Sequence, residues 1–267
     1  MLTKRLIACF DIVGGRVTKA VRFQDNIDVA PAEELAGAMY DAHIDELIFY
    51  DITASSEKRS IDIETVKRVA GRVFVPFTVG GGIKDLDDMY QTLKAGAEKI
   101  SIDSMAVRNP QIISEGARAF GSQCIVLSTQ VKRMGNMPSG FEVFIDGARL
   151  ATGLDAIEWI KRGQDLGAGE ICLNSIDNDG TLSGYDMRLM KLTQAAVSIP
   201  LIASGGAGKP EHLAELFTAT DTQAAIISSM LYSPRLPRNY TVNELKEYLI
   251  RHGINMRPCK APHADKL

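Results

Sequence analysis

Apolar positions along the chain fall into short runs separated by longer stretches of helical spacing. The runs 5–11, 46–51, 75–79 and 98–102 in the first half, and 123–130, 170–174, 199–203 and 223–228 in the second, read as buried strands. Between and after them, 31–43, 60–71, 85–95, 109–120, 154–166, 186–196, 210–218 and 241–252 read as helices. Ile61, Val66 and Val69 show the spacing, and Pro31 and Pro110 stand near helix starts, where a missing N–H costs nothing. Trp159 is expected to face the core. Two segments break the rhythm. Residues 12–30, with Gly14, Gly15, Lys19 and Arg22, are expected to form a long loop at the C-terminal end of the first strand. Residues 133–152, with Pro138-Ser139-Gly140 and the alternating Phe141-Glu142-Val143-Phe144-Ile145, predict an added hairpin.

Eight strands alternating with eight helices require parallel pairing with the helices outside. A chain of 267 residues is near the usual size of a closed barrel of this kind. The expected fold is therefore α/β: a single (β/α)8 TIM barrel over residues 1–257, with a flexible tail from 258 to 267. The two halves, about 1–121 and 122–257, are related. Val75-Pro76-Phe77-Thr78-Val79-Gly80-Gly81-Gly82-Ile83 recurs as Ile199-Pro200-Leu201-Ile202-Ala203-Ser204-Gly205-Gly206-Ala207. Strand, small-residue turn and helix together hold a phosphate on backbone donors, and two copies suggest a ligand with two anionic ends. Extending the alignment sets Asp11 opposite Gln130. Asp11, Asp51, Gly81, Asp103, Gln130, Asn174, Gly206 and Ser228 all fall at or just past strand ends, the face on which such barrels carry out chemistry.

Composition narrows the classes. Hydrophobic content of 45% and charged content of 24% are those of a soluble globular protein, and a net charge of −3 argues against a broad nucleic-acid surface. No apolar run approaches a membrane span, and the first residues resemble no signal peptide. Cys9, Cys124, Cys172 and Cys259 lie far apart. The first three sit in apolar runs and read as buried structural thiols, and the four histidines show no ligand spacing. A cytoplasmic protein with no metal and no cofactor is the expectation.

Lys4-Arg5-Leu6-Ile7-Ala8-Cys9-Phe10-Asp11, Phe49-Tyr50-Asp51-Ile52-Thr53-Ala54, the first glycine turn, Ser175-Ile176-Asp177-Asn178-Asp179-Gly180-Thr181 and Ala203-Ser204-Gly205-Gly206-Ala207-Gly208 also carry a resemblance. Together they resemble the cyclase subunit of imidazole glycerol phosphate synthase, from Met1 to about Arg257. That resemblance implies a partner glutaminase subunit whose ammonia crosses the barrel interior. The ammonia reacts there with a bisphosphate aminoimidazole carboxamide ribonucleotide, giving imidazole glycerol phosphate and aminoimidazole carboxamide ribotide. Asp11 matches the first catalytic aspartate and Lys19 a substrate-loop lysine. One phosphate site would use Gly82 and Asp103-Ser104, and the other Asp179-Gly180, Gly206 and Ser228-Ser229. Gly81, Asn174 and Gly205 complete the substrate-binding set. Arg5, Glu46, Lys99 and Glu170 match a charged ammonia gate. Read from the residues alone, four charges at strand starts converge at the bottom of a barrel, where ion pairing and gating are compatible.

The chain departs from that family at two positions. Gln130 stands where the second catalytic aspartate is expected, and an amide cannot carry a proton at neutral pH. Asp103 stands where asparagine is usual, and a carboxylate facing a phosphate is repelled unless it turns away, is protonated, or meets a weaker anion. Three functions follow: a cyclase, active or weakened; a conduit passing ammonia to another acceptor enzyme; or a non-catalytic phosphometabolite sensor acting on a glutaminase. An isomerase of aminoaldoses on the same duplicated barrel is a further alternative.

Overall fold

A computed structural model describes residues 2–21, 24–54, 57, 59–233 and 238–259, without the side chains of 19–21 and 24–26. In chain order the elements of the first half are β1 (Arg5–Val13), β2 (Arg16–Val21), β3 (Gln24–Pro31), α1 (Ala32–Asp41), β4 (Glu46–Asp51), α2 (Ile63–Ala70), β5 (Phe77–Gly80), α3 (Leu86–Lys94), β6 (Lys99–Ile102), α4 (Ser104–Arg108) and α5 (Gln111–Phe120). The second half holds β7 (Ile125–Arg133), β8 (Phe141–Ile145), β9 (Leu150–Asp155), α6 (Ala156–Asp165), β10 (Glu170–Ser175), α7 (Met187–Ala196), β11 (Leu201–Ser204), α8 (Pro210–Ala219), β12 (Ala224–Ile226), α9 (Ser228–Tyr232) and α10 (Val242–Arg251).

Strands β1, β4, β5, β6, β7, β10, β11 and β12 pair in that order, all parallel, and β12 returns to β1 with Arg5 opposite Ala224. This is a closed (β/α)8 TIM barrel. Closure leaves no free edge, and alternation along each strand sends every second side chain inward. The outward set, including Leu6, Phe10, Leu47, Phe49 and Phe77, joins the inner helix faces in the main core, where Trp159 is buried as expected. A second, smaller cluster of Ile7, Ile48, Val126, Cys172, Ile202, Ala224 and Ile226 lies inside the barrel.

The expected loop at 12–30 is instead a hairpin. β1 runs on to Val13 and pairs antiparallel with β2, which pairs with β3. Gly14 and Gly15, at φ 55° and 77°, make the tight turn; two consecutive residues at positive φ match the right-handed twist of the strands they join. The hairpin expected in 133–152 is present as β8 and β9, with β8 antiparallel to the protruding end of β7. Each half thus follows its first barrel strand with an antiparallel hairpin and its fourth with a five-residue helix, α4 or α9. Cys172 is buried, but Cys9 and Cys124 are only half-buried, and Cys124 lies in a 3-10 turn before β7 instead of within the strand. The expected flexible tail falls, beyond Cys259, outside the described residues.

Half of the described helices are capped by side chains of their own loops. Asp62, Asp85, Asp155 and Asp186 accept from first-turn N–H groups, and Thr241 with Glu244 forms a capping box on α10. That last helix is fastened to the start of the barrel. Lys246, 1% exposed, donates from Nζ to Asp45 Oδ1 at 2.6 Å and to the His43 carbonyl at 2.8 Å; Asp45 Oδ2 accepts from the Leu6 N–H at 2.9 Å. Removing one partner of a buried ion pair strands the other charge. Lys246→Ala is therefore expected to lower the unfolding free energy by about 3–5 kcal/mol, read as a fall in the urea midpoint.

Candidate active site

The inward side chains form successive levels. At the bottom are the first residues of four strands: Arg5 on β1, Glu46 on β4, Lys99 on β6 and Glu170 on β10. They alternate in sign around the barrel and close a cycle. Arg5 reaches Glu46 and Glu170 through its two terminal nitrogens, and Lys99 Nζ lies 2.8 Å from each of the same two glutamates. Glu46 also accepts from Thr78 at 3.3 Å and is fully buried. Burial pulls the two cations toward their neutral forms, but Glu170 and Glu46 together outweigh it and raise both pKa values. Both cations therefore stay charged across the neutral range.

Above the ring lies an apolar level of Ile7, Ile48, Val126, Ile202 and Ala224. Next comes a polar waist, where the Tyr50 hydroxyl sits 3.0 Å from Ser101 Oγ and donates to Ser128 Oγ at 3.4 Å. Burial pushes the Tyr50 hydroxyl well above the ordinary tyrosine range, so it remains a neutral donor.

The strand tops enclose a cavity of about 810 Å³ lined by residues of both halves. Two glycine turns flank it. A Cβ on Gly81 (φ 86°) would stand 2.3 Å from the Asp51 carbonyl oxygen, and one on Gly206 (φ 102°) 1.9 Å from that of Gly184. No other residue fits either turn, and both therefore present bare backbone to the cavity. Asp51 is held by Arg59 through two contacts of 2.5 and 2.8 Å and accepts from the Ala54 N–H. In the second half, Gly184 N–H donates to the Gly206 carbonyl, and Asn178 Nδ2 to that of Gly184, which ties the loop after β10 to the second turn.

Between the turns, Gln130 Nε2 donates to Asp103 Oδ2 at 2.7 Å. Asp103 occupies the N-cap position of α4 but caps nothing; its side chain turns toward β7 instead. Asp103 as a residue opens partly on the cavity, yet its Oδ1 is shut from solvent and has no partner, as are Gln130 Oε1 and Asn174 Oδ1. Burial pushes the Asp103 carboxyl from 3.8 up to about 7; the Gln130 hydrogen bond opposes this, the nearby Asp146 adds to it and Arg108 subtracts. Of the ways a carboxylate could be tolerated here, two are realised. The group is turned onto an amide, and it takes up a proton near neutrality.

The histidine biosynthesis protein family matches residues 5–237. The chain is 52% identical to the imidazole glycerol phosphate synthase subunit HisF of Desulforapulum autotrophicum over 260 residues, 96% of this chain and 99% of that protein. It is 51% identical to the HisF subunit of Desulfosudis oleivorans and 49% to that of Syntrophobacter fumaroxidans, at the same coverage of both chains. The chain belongs to the HisF family.

Most of the residues picked out by sequence meet in this HisF-family barrel. Asp11, Gln130, Gly81, Gly82, Asp103, Ser104, Asn174, Asp179, Gly205, Gly206, Ser228 and Ser229 all line the cavity. Gly180 does not; it turns the loop behind Asp179 at φ 67°. The Lys19 side chain lies outside the described part, although its backbone pairs with Ile27 in the β2–β3 hairpin. Ser228 is less available than its position suggests, because its hydroxyl bonds the Cys9 N–H at 2.7 Å and the Cys9 carbonyl at 2.8 Å. Sequence reasoning missed the waist at Tyr50, Ser101 and Ser128, although two-residue steps from Ile48, Lys99 and Val126 point at all three. It also missed the roof. The β8–β9 turn brings Asp146, Gly147 and Arg149 to the cavity, with Asp146 paired to Arg108 at 2.6 Å and its N–H on Ser104 Oγ at 2.9 Å.

The raised carboxyl has a consequence for stability. Folded Asp103 holds its proton up to about pH 7, whereas unfolded aspartate loses it near pH 4. Between those values the native state binds more protons, so stability falls as pH rises through the window. Asp103→Asn removes that burden. Its stability advantage over the natural chain should grow by about 2–3 kcal/mol between pH 5 and pH 8 in paired urea titrations; an advantage independent of pH would show that the carboxyl titrates normally.

Proposed function

We propose that this chain is the cyclase subunit of an imidazole glycerol phosphate synthase. Ammonia from a separate glutaminase enters at the charged ring and crosses the barrel. At the far face it reacts with a bisphosphate aminoimidazole carboxamide ribonucleotide, giving imidazole glycerol phosphate and aminoimidazole carboxamide ribotide. What carries this reading is the single axis through the barrel: the closed ring of Arg5, Glu46, Lys99 and Glu170 at one end, an apolar level, a polar waist, and the 810 Å³ cavity at the other. An apolar level favours neutral NH3 over ammonium, since an unpaired ion pays its full desolvation there. A cavity flanked by the glycine turns at Gly81 and Gly206 suits a ligand with a phosphate at each end. Asp11, at the top of β1, is the residue for proton transfer on one side of that ligand.

A second reading has an observation of its own. Gln130 cannot titrate, while the ring below is intact, which suits a barrel that conducts ammonia to another acceptor. Turnover separates the two. With ammonium salt as nitrogen source, the chain should convert the bisphosphate ribonucleotide to both products, and Asp11→Asn should lower kcat about 10²- to 10⁴-fold. Sedimentation with a glutaminase subunit should give a 1:1 complex. A complex without ammonium-dependent turnover would favour the conduit; neither complex nor turnover would discard both.

A further inference from the structure

We infer that Asp103 is a catalytic proton-transfer group of this cavity and that Gln130 is its positioning residue; the inference rests on the cyclase reading above. An ammonia-dependent ring closure begins when NH3 bonds to an electrophilic carbonyl carbon. The nitrogen must then shed two protons, and the carbonyl oxygen must gain two to leave as water. Such a condensation needs one group that takes protons and one that gives them, placed on different sides of the ligand. Asp11 on β1 supplies one. The second is found among the cavity residues by what each is already doing.

Asp51 is engaged through both oxygens by Arg59. Asp146 is spent on Arg108 in the roof turn. Asp179 belongs to the loop after β10 rather than to a strand top. Burial pushes the Tyr50 hydroxyl well up and the Cys172 thiol to about 12, so neither gives up a proton near neutrality. Asp103 alone among these combines a strand-top position with an unengaged oxygen. It stands three strands from Asp11 around the barrel, with β4 and β5 between.

Its geometry is that of a poised group. An aspartate at an N-cap ordinarily gives its oxygen to first-turn N–H groups, as Asp62, Asp85, Asp155 and Asp186 do in this chain. Asp103 makes no such bond. One oxygen receives the Gln130 N–H and the other has no partner. Gln130 Oε1 and Asn174 Oδ1 are also buried and unpartnered, so the tops of β6, β7 and β10 present three acceptors without donors. Such a cluster calls for a proton on its one titratable member or for a donor-bearing ligand. An amide N–H can donate to a carboxyl and to a carboxylate oxygen alike, so Gln130 holds Asp103 in one place through both protonation states. The charged or titratable groups around it are Asp146 from the roof turn, Arg108 on α4 and Cys172 on β10. With the carboxyl near 7, both forms are present at neutral pH. In the condensation, the Asp103 carboxyl gives protons to the departing oxygen and Asp11 takes them from the nitrogen; water at the cavity mouth returns them from one to the other.

The test compares the natural chain, Asp103→Asn and Gln130→Leu. It measures ammonium-dependent turnover of the bisphosphate ribonucleotide from pH 5.5 to 9 and binding of the same compound by calorimetry. Asp103→Asn should lower kcat about 10²- to 10⁴-fold while binding stays within about threefold. Gln130→Leu should keep measurable turnover but move the alkaline limb of kcat to higher pH, because the amide's hydrogen bond holds the carboxyl down. A packing role would not shift that limb, and an unmoved limb would overturn the assignment of Gln130. Turnover of Asp103→Asn within about threefold of natural overturns the role of Asp103 and leaves the cyclase reading standing. Loss of binding in that variant marks a binding role and also overturns it. No turnover in the natural chain with the compound bound overturns both the role and the reading.

Discussion

Closure of eight parallel strands into one ladder is the constraint on which the rest of the molecule depends. Once β12 is paired to β1, the register of every strand is set, and a one-residue slip would exchange the lumen with the outer core. The levels inside the barrel are therefore a direct print of residue order: ring, apolar level, waist, strand-top groups. Holding two buried glutamates and two half-buried cations at the bottom is costly. It is tolerated because each of Glu46 and Glu170 is shared by two cations and each cation by two carboxylates, so no charge is left uncompensated.

The strand tops obey a different economy. Elsewhere the chain satisfies local rules: acidic caps, a capping box, a buried lysine with its aspartate. At Asp103 it forgoes a cap, worth about 1 kcal/mol, and keeps a carboxyl where burial disfavours its charge. Breaking two local rules at one residue, next to two unpartnered amide oxygens, is the pattern of a site whose groups are arranged for a ligand instead of for the fold.

Much of this was legible in the sequence, for identifiable reasons. Short apolar runs between stretches of helical spacing gave all eight barrel strands, and the duplicated glycine turns marked the functional face. The four ring residues stood at strand starts, where barrel geometry alone brings them together. What escaped was what depends on register or on very short elements. Residues 16–21 alternate weakly, and the Gly14-Gly15 hairpin turn was read as part of a loop. Helices α4 and α9, five residues each, are too short to show a period. The Asp103–Gln130 bond joins residues 27 apart on neighbouring strands and became visible only once β6 was laid against β7. Cys9 and Cys124 were over-read as buried because an apolar run says nothing of where it opens.

The joint between Lys246, Asp45 and Leu6 makes the end of the chain part of its beginning, across 201 residues. During synthesis, β1 has one edge unpaired until β12 arrives, and Asp45 waits for its lysine until α10 has left the ribosome. Any sheet formed before that pairing has two raw edges, and such edges recruit other strands. The closed barrel and the unclosed sheet therefore pose opposite hazards: sealed once made, adhesive until then.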